Sequence, residues 1–190
     1  MILELLRHGE TERGGGFRGS VDDPLTSAGW AQMRAAVDGL NGWDAVVSSP
    51  LQRCAAFAAE LADSRGVAVD IRPDLRELHF GLWEGRHPAD LMLDQADELG
   101  QFWNDPYAYT PPQAELVAAF RQRVIAELAS LALRYAGQRL LVVTHAGVMR
   151  LLLARARELA DRDLLQVQVG YAELVRLHRY EDGTLKEEKA

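Results

Sequence analysis

The chain has 190 residues, of which 48% are hydrophobic and 26% are charged, a composition that is typical of globular proteins and argues against long disorder. Its formal net charge of -7 argues against broad binding to nucleic acid or to an anionic membrane surface, so an anionic ligand needs a local pocket. No composition shift divides the chain, and we expect a single domain over residues 1–190.

Strand and helix patterns alternate through the first half of the chain. The strands are predicted over residues 2–6, 45–48 and 67–71, and the helices over residues 27–40 and 50–63. Ser49 and Pro50 predict the start of the second helix, with serine as N-cap and proline at the first helical position. This order is typical of a largely parallel sheet covered by helices.

The second half of the chain continues the pattern after an irregular segment. The predicted elements are two short helices within 91–109, an amphipathic helix over 115–135, a strand over 140–143, a helix over 148–160 and a last strand over 172–180. We expect the last strand to lie at a sheet edge and residues 186–190 to form a loose tail.

Cysteine usage and the absence of targeting patterns bear on location. Cys54 is the only cysteine, which excludes an internal disulfide and fits a reducing compartment, and we expect it to be a small buried residue on a helix. The apolar run over residues 2–6 is too short for a signal peptide and contains Glu4, and no run approaches membrane-spanning length. We therefore expect a cytoplasmic protein without a membrane partner.

Two histidines follow apolar strands near opposite ends of the chain. His8 stands in Arg7-His8-Gly9 after the first strand, and His145 stands in Thr144-His145-Ala146-Gly147 after the strand over 140–143. Ligands of open α/β sheets bind beyond the carboxyl ends of the strands. We therefore expect the two histidines to face one site.

Two arginines accompany these histidines and indicate a phosphoryl ligand. Arg7 precedes His8, and Arg53 lies near the start of a helix, where free backbone N–H groups favour an anion. Guanidinium groups match phosphate oxygens, and a neutral imidazole is a competent nucleophile toward phosphorus. The arginines would also lower the pKa of a nearby histidine and keep it unprotonated. A metal site is the alternative for two histidines, but no third ligand has suitable spacing, so we expect none.

Several motifs in this order resemble the histidine phosphatase superfamily, also called phosphoglycerate mutase-like, over nearly the whole chain. The matching segments are Arg7-His8-Gly9-Glu10-Thr11, Arg18-Gly19 with Pro24-Leu25-Thr26, Ser48-Ser49-Pro50-Leu51 with Arg53, Leu75-Arg76-Glu77, and Thr144-His145-Ala146-Gly147. The resemblance implies a three-layer α/β/α sandwich with a mostly parallel central sheet and an activity that needs no cofactor.

The resemblance also implies roles for these residues. His8 attacks phosphorus and becomes phosphorylated, while Arg7, Arg53 and His145 stabilise charge on the phosphoryl oxygens. Glu77 matches the family's proton donor, and its alternative interpretation is a solvated loop carboxylate.

Three further residues are predicted to bind phosphate or substrate, each on weaker grounds. Thr11 either donates to phosphate or packs locally, and Arg18 either reaches the substrate from a Gly-rich loop or is solvated. Ala146 stands at a predicted helix start, where backbone N–H groups are free.

Within the superfamily, residues 80–84, 103–105 and 111–112, together with the compact length, most resemble bacterial alpha-ribazole phosphatases of cobalamin biosynthesis. Two positions depart from common patterns. An asparagine often found soon after the Arg-His-Gly motif has no counterpart in residues 12–16, and Gln113-Ala114-Glu115-Leu116 stands where many relatives have Gly-Gly-Glu-Ser. Only the glutamate is kept at the second position. The resemblance therefore implies no substrate contacts at these two positions, although the phosphoryl-transfer set is intact.

The sequence therefore predicts a phosphomonoesterase acting on a small phosphorylated metabolite, with alpha-ribazole 5'-phosphate as the leading substrate and a general small-molecule phosphatase next. A phosphoglycerate mutase is the rival enzyme, and the compact interval from Glu77 to His145 argues against it. A non-catalytic module that binds a phosphorylated ligand is the rival of another class, and the complete catalytic set argues against it. The sequence makes no prediction of oligomeric state.

Overall fold

The computed structural model describes residues 1–188, which form a six-stranded sheet flanked by helices. The strands are β1 (Ile2–Arg7), β2 (Ala45–Ser48), β3 (Ala68–Ile71), β4 (Arg139–Thr144), β5 (Leu174–Arg179) and β6 (Leu185–Glu188). The α-helices are α1 (Ser27–Ala36), α2 (Gln52–Arg65), α3 (Pro88–Asp94), α4 (Ala96–Asn104), α5 (Val117–Arg134) and α6 (Ala146–Ala156). Short 3-10 helices occur at Pro73–Leu75, Gly81–Trp83 and Asp161–Gln166.

The strand order is β3-β2-β4-β1-β5-β6, and the first four of these strands are parallel. The hairpin of β5 and β6 completes the sheet in antiparallel pairing with β1. In the parallel register Arg7 pairs with Thr144, and Ser48 pairs with Val143. The residues that follow, His8, Ser49 and His145, therefore leave the sheet at one edge, and the mostly parallel α/β sheet is confirmed.

Helices cover both faces of the sheet because successive strand residues point to opposite sides. Leu3 and Leu5 of β1 belong to the apolar core that includes α5 and α6, whereas Leu6 belongs to the core that includes α1 and α2. All three leucines are completely buried. The central strands are thus buried on both faces, as expected for parallel strands in a three-layer sandwich.

The last strand of the chain differs from the sequence prediction. β5 lies inside the sheet, and β6 forms the edge in its place. The loose tail predicted over 186–190 is wrong for residues 186–188, which lie in β6, and its last two residues lie outside the described part of the chain. The carboxylate of Glu188 accepts from His178 at 2.7 Å and from Arg176 at 2.9 Å, and Leu185 is buried. These cross-strand contacts hold a segment that is too polar to be recognised from its composition.

Three helices also begin or end at residues other than those predicted. α2 begins at Gln52 instead of Pro50, and the backbone N–H of Gln52 donates to the Asp22 carboxylate at 2.7 Å. The Ser49 hydroxyl accepts from the N–H of Leu51 at 3.3 Å and from His145 at 2.7 Å. α1 ends at Ala36, before its predicted end, and α6 covers Ala146–Ala156 where residues 148–160 were expected. Cys54 is buried on α2, as predicted. Within residues 1–188, every helix is too short or too polar to cross a membrane.

Candidate active site

The carboxyl edge of the sheet opens into a cavity of about 340 Å³. Arg7, His8 and Glu77 line it, and so do three other residues predicted from the sequence, Thr11, Arg18 and Ala146. Much of the remaining wall is aromatic: Phe17, Phe80, Phe102, Trp103, Phe120 and Tyr171. The cavity therefore combines charged and polar side chains with a largely aromatic lining.

His8 is held as a neutral imidazole with a defined tautomer. Its Nδ1 lies 2.8 Å from the carbonyl oxygen of Gly9, which only accepts hydrogen bonds, so Nδ1 carries the proton and Nε2 keeps its lone pair. Burial, followed by the positive charges of Arg53 and Arg7, lowers the pKa of His8 to about 3. The predicted effect of the arginines on the pKa is confirmed in direction, but burial is its largest cause.

His145 lies beside His8, with 5.3 Å between ring centroids, and is completely buried. The Nε of Arg53 donates to its Nδ1 at 3.3 Å, so the proton sits on Nε2, which donates to the Ser49 hydroxyl at 2.7 Å. Burial, followed by the charge of Arg53, lowers the pKa of His145 well below its usual value. Sequence reasoning treated Ser49 as a helix cap and missed this contact.

Arg53 is anchored in the protein interior and is 1% exposed. Its guanidinium donates to the carbonyls of Val21 at 2.6 Å and Gly19 at 3.2 Å, and lies 3.8 Å from the Asp23 carboxylate. Arg53 and His145 adjoin His8 but are not among the residues that line the cavity. The five predicted catalytic side chains therefore cluster together, and three of them reach the cavity surface.

Arg7 is fixed at the cavity wall by a segment that sequence reasoning did not single out. It donates to the carbonyl of Val169 at 2.7 Å, and its guanidinium carbon lies 4.2 Å from the ring centroid of Tyr171. The Tyr171 ring is also 6.0 Å from that of His8. Tyr171 thus orients both members of the first motif by a cation–π contact and ring packing. No motif in the sequence marks it.

Glu77 is held firmly by two backbone donors. Its Oε1 accepts from the N–H of Leu78 and its Oε2 from the N–H of Gly147 at the start of α6, both at 2.9 Å. A Cβ atom at position 147 would lie 2.1 Å from Oε1, so only glycine permits this approach. Glu77 thus lines the cavity with its carboxylate fixed by two backbone N–H groups, and its role as proton donor stays a prediction.

The two terminal nitrogens of Arg18 are engaged within its own loop. Arg18 donates to the Thr11 hydroxyl at 2.9 Å, to the Asp23 carboxylate at 2.5 Å and to the carbonyl of Gly15 at 2.9 Å. Thr11 packs locally as the acceptor of one of these bonds. Direct contact of Thr11 or Arg18 with phosphate therefore stays a prediction, while Ala146 presents the first turn of α6 to the cavity. Within residues 1–188, His, Cys, Asp and Glu side chains form no group of three or more that could hold a metal ion.

Comparison with known proteins identifies the family of the chain. The model of the histidine phosphatase superfamily (branch 1) matches residues 3–189. The chain is 38% identical over 159 residues to the adenosylcobalamin/alpha-ribazole phosphatase of Escherichia coli strain K12, covering 82% of this chain and 78% of that protein. The crystal structure of the alpha-ribazole phosphatase from Shigella flexneri has a TM-score of 0.83 and 31% identity, covering 99% of this chain and 95% of that one.

A third relative carries a ligand in its solved structure. The mycobacterial glucosyl-3-phosphoglycerate phosphatase, in complex with inorganic phosphate, has a TM-score of 0.81 and 27% identity, covering 99% of this chain and 95% of that one. The family match spans nearly the entire chain and includes every residue of the site described above. The chain belongs to the histidine phosphatase superfamily, branch 1.

Proposed function

We propose that this protein is a phosphomonoesterase that works through a phosphohistidine at His8, with alpha-ribazole 5'-phosphate as its leading substrate. One observation carries the proposal: a neutral His8 shares a cavity with the Arg7 guanidinium and the Glu77 carboxyl group. These three groups supply a nucleophile, a binding site for phosphate oxygens and a proton carrier.

In the first step, the Nε2 lone pair of His8 attacks phosphorus, and the bond between phosphorus and the ester oxygen breaks. Protonated Glu77 gives its proton to the departing oxygen, which leaves as an alcohol. His8 can act without first losing a proton, because its pKa of about 3 leaves Nε2 free at neutral pH. The hydrogen bond from Nδ1 to Gly9 keeps the reactive nitrogen pointing away from the backbone.

In the second step, water attacks the phosphohistidine and Glu77, now a carboxylate, takes the proton from that water. The P–N bond breaks, inorganic phosphate forms, and His8 regains its lone pair. Glu77 ends protonated, so the cycle closes without a cofactor. The two backbone N–H groups that hold Glu77 keep its carboxyl group in one place for both steps.

Arg7, Arg53 and His145 are proposed to stabilise the negative charge that develops on the phosphoryl oxygens. Arg7 lies at the cavity surface, whereas Arg53 and His145 are buried in the protein interior beside His8. Charges in such a buried setting act more strongly than in water. The Arg53 guanidinium, anchored by backbone carbonyls, is preorganised for this role.

The shape of the cavity supports a substrate with a flat apolar group. Alpha-ribazole 5'-phosphate carries a dimethylbenzimidazole base, which fits a wall built from Phe17, Phe80, Phe102, Trp103 and Phe120. Relatives from E. coli and S. flexneri carry alpha-ribazole phosphatase names. The proposal places the protein in the cytoplasm, acting on a small phosphorylated metabolite.

A substrate comparison tests the proposal. The values of kcat/KM are measured for alpha-ribazole 5'-phosphate, 3-phosphoglycerate and glucosyl-3-phosphoglycerate, with inorganic phosphate as the product followed. We expect the highest value for alpha-ribazole 5'-phosphate and loss of all activity in His8→Ala. Interconversion of phosphoglycerates without phosphate release would instead identify a mutase. Absence of turnover on every ester would favour the binding module.

A further inference from the structure

Arg123, on α5, binds backbone carbonyls of the loop that carries Glu77. Its Nη1 donates to the carbonyls of Asp74 at 2.7 Å and Arg76 at 2.8 Å, and its Nη2 donates to the carbonyl of Glu77 itself at 3.0 Å. The remaining N–H groups form a two-point pair with Glu115, at 2.7 and 2.9 Å. All five guanidinium N–H groups are therefore used, three of them on this loop.

Glu115 completes the arrangement from the other side. Besides pairing with Arg123, its carboxylate accepts from the N–H of His79 at 3.4 Å, and its own N–H donates to the carbonyl of His79 at 2.9 Å. Glu115 thus ties the segment just after Glu77 to the arginine that holds the segment just before it. It is also the residue kept in Gln113-Ala114-Glu115-Leu116, where the neighbouring positions depart from the common pattern.

Arg123 also contacts the wall of the cavity. The Arg123 guanidinium carbon lies 4.7 Å from the ring centroid of Phe120, which lines the cavity one turn earlier on α5. Thr144 adds a tie from β4, because its hydroxyl donates to the carbonyl of Leu75 at 3.0 Å. Arg123 and Thr144 therefore fix the backbone of the loop that carries Glu77, while the N–H groups of Leu78 and Gly147 fix its carboxyl group.

We propose that Arg123, oriented by Glu115, is a positioning residue that sets the distance between the Glu77 carboxyl group and the departing oxygen. This inference rests on the proposed role of Glu77 as proton donor. A displacement of about 1 Å in a reacting group lowers the rate of its step by about 100-fold. Loss of Arg123 therefore weakens the proton transfers made by Glu77, first to the departing oxygen and then from the attacking water, and leaves phosphate binding and the attack of His8 in place.

Two aryl esters of similar shape separate this effect from general damage. Phenyl phosphate has a basic leaving oxygen that needs a proton, whereas the oxygen of p-nitrophenyl phosphate leaves readily without one. For Arg123→Gln we expect kcat/KM on phenyl phosphate to fall about 100-fold, with a much smaller loss on p-nitrophenyl phosphate. The ratio kcat/KM is compared because it reports the steps up to departure of the ester oxygen and excludes the hydrolysis of the phosphohistidine, which both esters share. Glu77→Gln should show the same selectivity, and the double variant should be little worse than Glu77→Gln alone.

Matched variants complete the test. Arg121→Gln removes another arginine of α5, which pairs with the exposed Asp161 away from the loop, and should leave kcat on both esters unchanged. Arg123→Lys keeps the charge with fewer donors and should recover part of the lost rate. Glu115→Gln weakens the orienting pair and should show the same selectivity for phenyl phosphate, which covers the case in which Arg123→Gln fails to fold.

The outcomes separate this inference from the proposed function. Equal losses on the two esters in Arg123→Gln and Glu115→Gln, or additive losses in the double variant, would overturn the positioning role. Absence of selectivity in Glu77→Gln, or absence of wild-type turnover on both esters, would overturn the proposed mechanism and this inference with it.

Discussion

His8 is predicted to make the stability of the protein depend on pH. Its pKa is about 3 in the folded chain, against an ordinary value of 6.5, because it is buried beside Arg53 and Arg7. As the pH falls below 6.5, the unfolded chain takes up a proton at this position, but the folded chain does not until the pH approaches 3. Stability is therefore greatest above pH 6.5 and decreases as the pH falls through that window.

The size of the effect follows from the shift in pKa. Each unit of difference corresponds to about 1.4 kcal/mol, so His8 alone lowers the free energy of unfolding by about 2 kcal/mol between pH 6.5 and 4.5. His145 contributes in the same direction, because burial and Arg53 also lower its pKa. A loss of this size is a large fraction of the stability of a typical domain.

Urea unfolding followed by circular dichroism at pH 6.5, 5.5 and 4.5 measures this dependence. The variant His8→Asn removes the titrating ring but keeps an N–H that can donate to Gly9, and it should lose about 2 kcal/mol less than wild type over the window. His87→Asn removes an exposed histidine and should behave as wild type does. A His8→Asn variant with the same pH dependence as wild type would refute the reasoning.

Three further predictions concern single positions. Gly147→Ala places a Cβ against the Glu77 carboxylate and should lower kcat on phenyl phosphate by about 100-fold in steady-state assays. An unchanged kcat would show that the contact between Gly147 and Glu77 is not needed for catalysis. Trp103→Ala should raise KM for alpha-ribazole 5'-phosphate by about fivefold, because roughly 1 kcal/mol of aromatic contact is lost. KM for ribose 5-phosphate, which lacks the aromatic base, should stay constant. Equal increases in the two KM values would contradict the apolar subsite. Gln113→Gly should raise the free energy of unfolding by about 0.5 kcal/mol. Gln113 has a φ of 62°, and the strain that glycine relieves there exceeds the cost of a more flexible unfolded chain. A lower urea midpoint for the variant would contradict this.

The location of the two histidines could be predicted because it depends on local patterns. Short apolar runs before His8 and His145 indicate buried parallel strands, and parallel strands end at one edge of a sheet. The structure places both rings there, 5.3 Å apart. The motif around Arg53 likewise placed it near the start of α2.

Other features depend on contacts between distant segments and could not be predicted. β6 consists largely of charged residues, and only its pairing with β5 makes it a strand. The Ser49 hydroxyl satisfies a common helix-start pattern, yet it accepts from His145 across the site. Tyr171 and Arg123 act on Arg7 and on the Glu77 loop from segments without a recognisable motif.

The burial of Arg53 and His145 also exceeds what their sequence indicates. Both motifs suggest side chains at a cavity surface, but the carbonyls of the loop over residues 18–21 surround Arg53, and His145 is completely buried. This loop is irregular, so its path does not follow from hydrophobic periodicity. The direct contact of Arg53 and His145 with the phosphoryl group remains a prediction.

Trapping the phosphorylated enzyme tests the central claim most directly. Wild-type protein is mixed with excess substrate, quenched within its first turnovers in alkaline denaturant, where phosphohistidine survives, and mapped by peptide mass spectrometry. The proposed mechanism predicts a phosphoryl group on His8, no label in His8→Ala, and no turnover by that variant. A phosphoryl group on another residue, or phosphate release by His8→Ala at the wild-type rate, would contradict it.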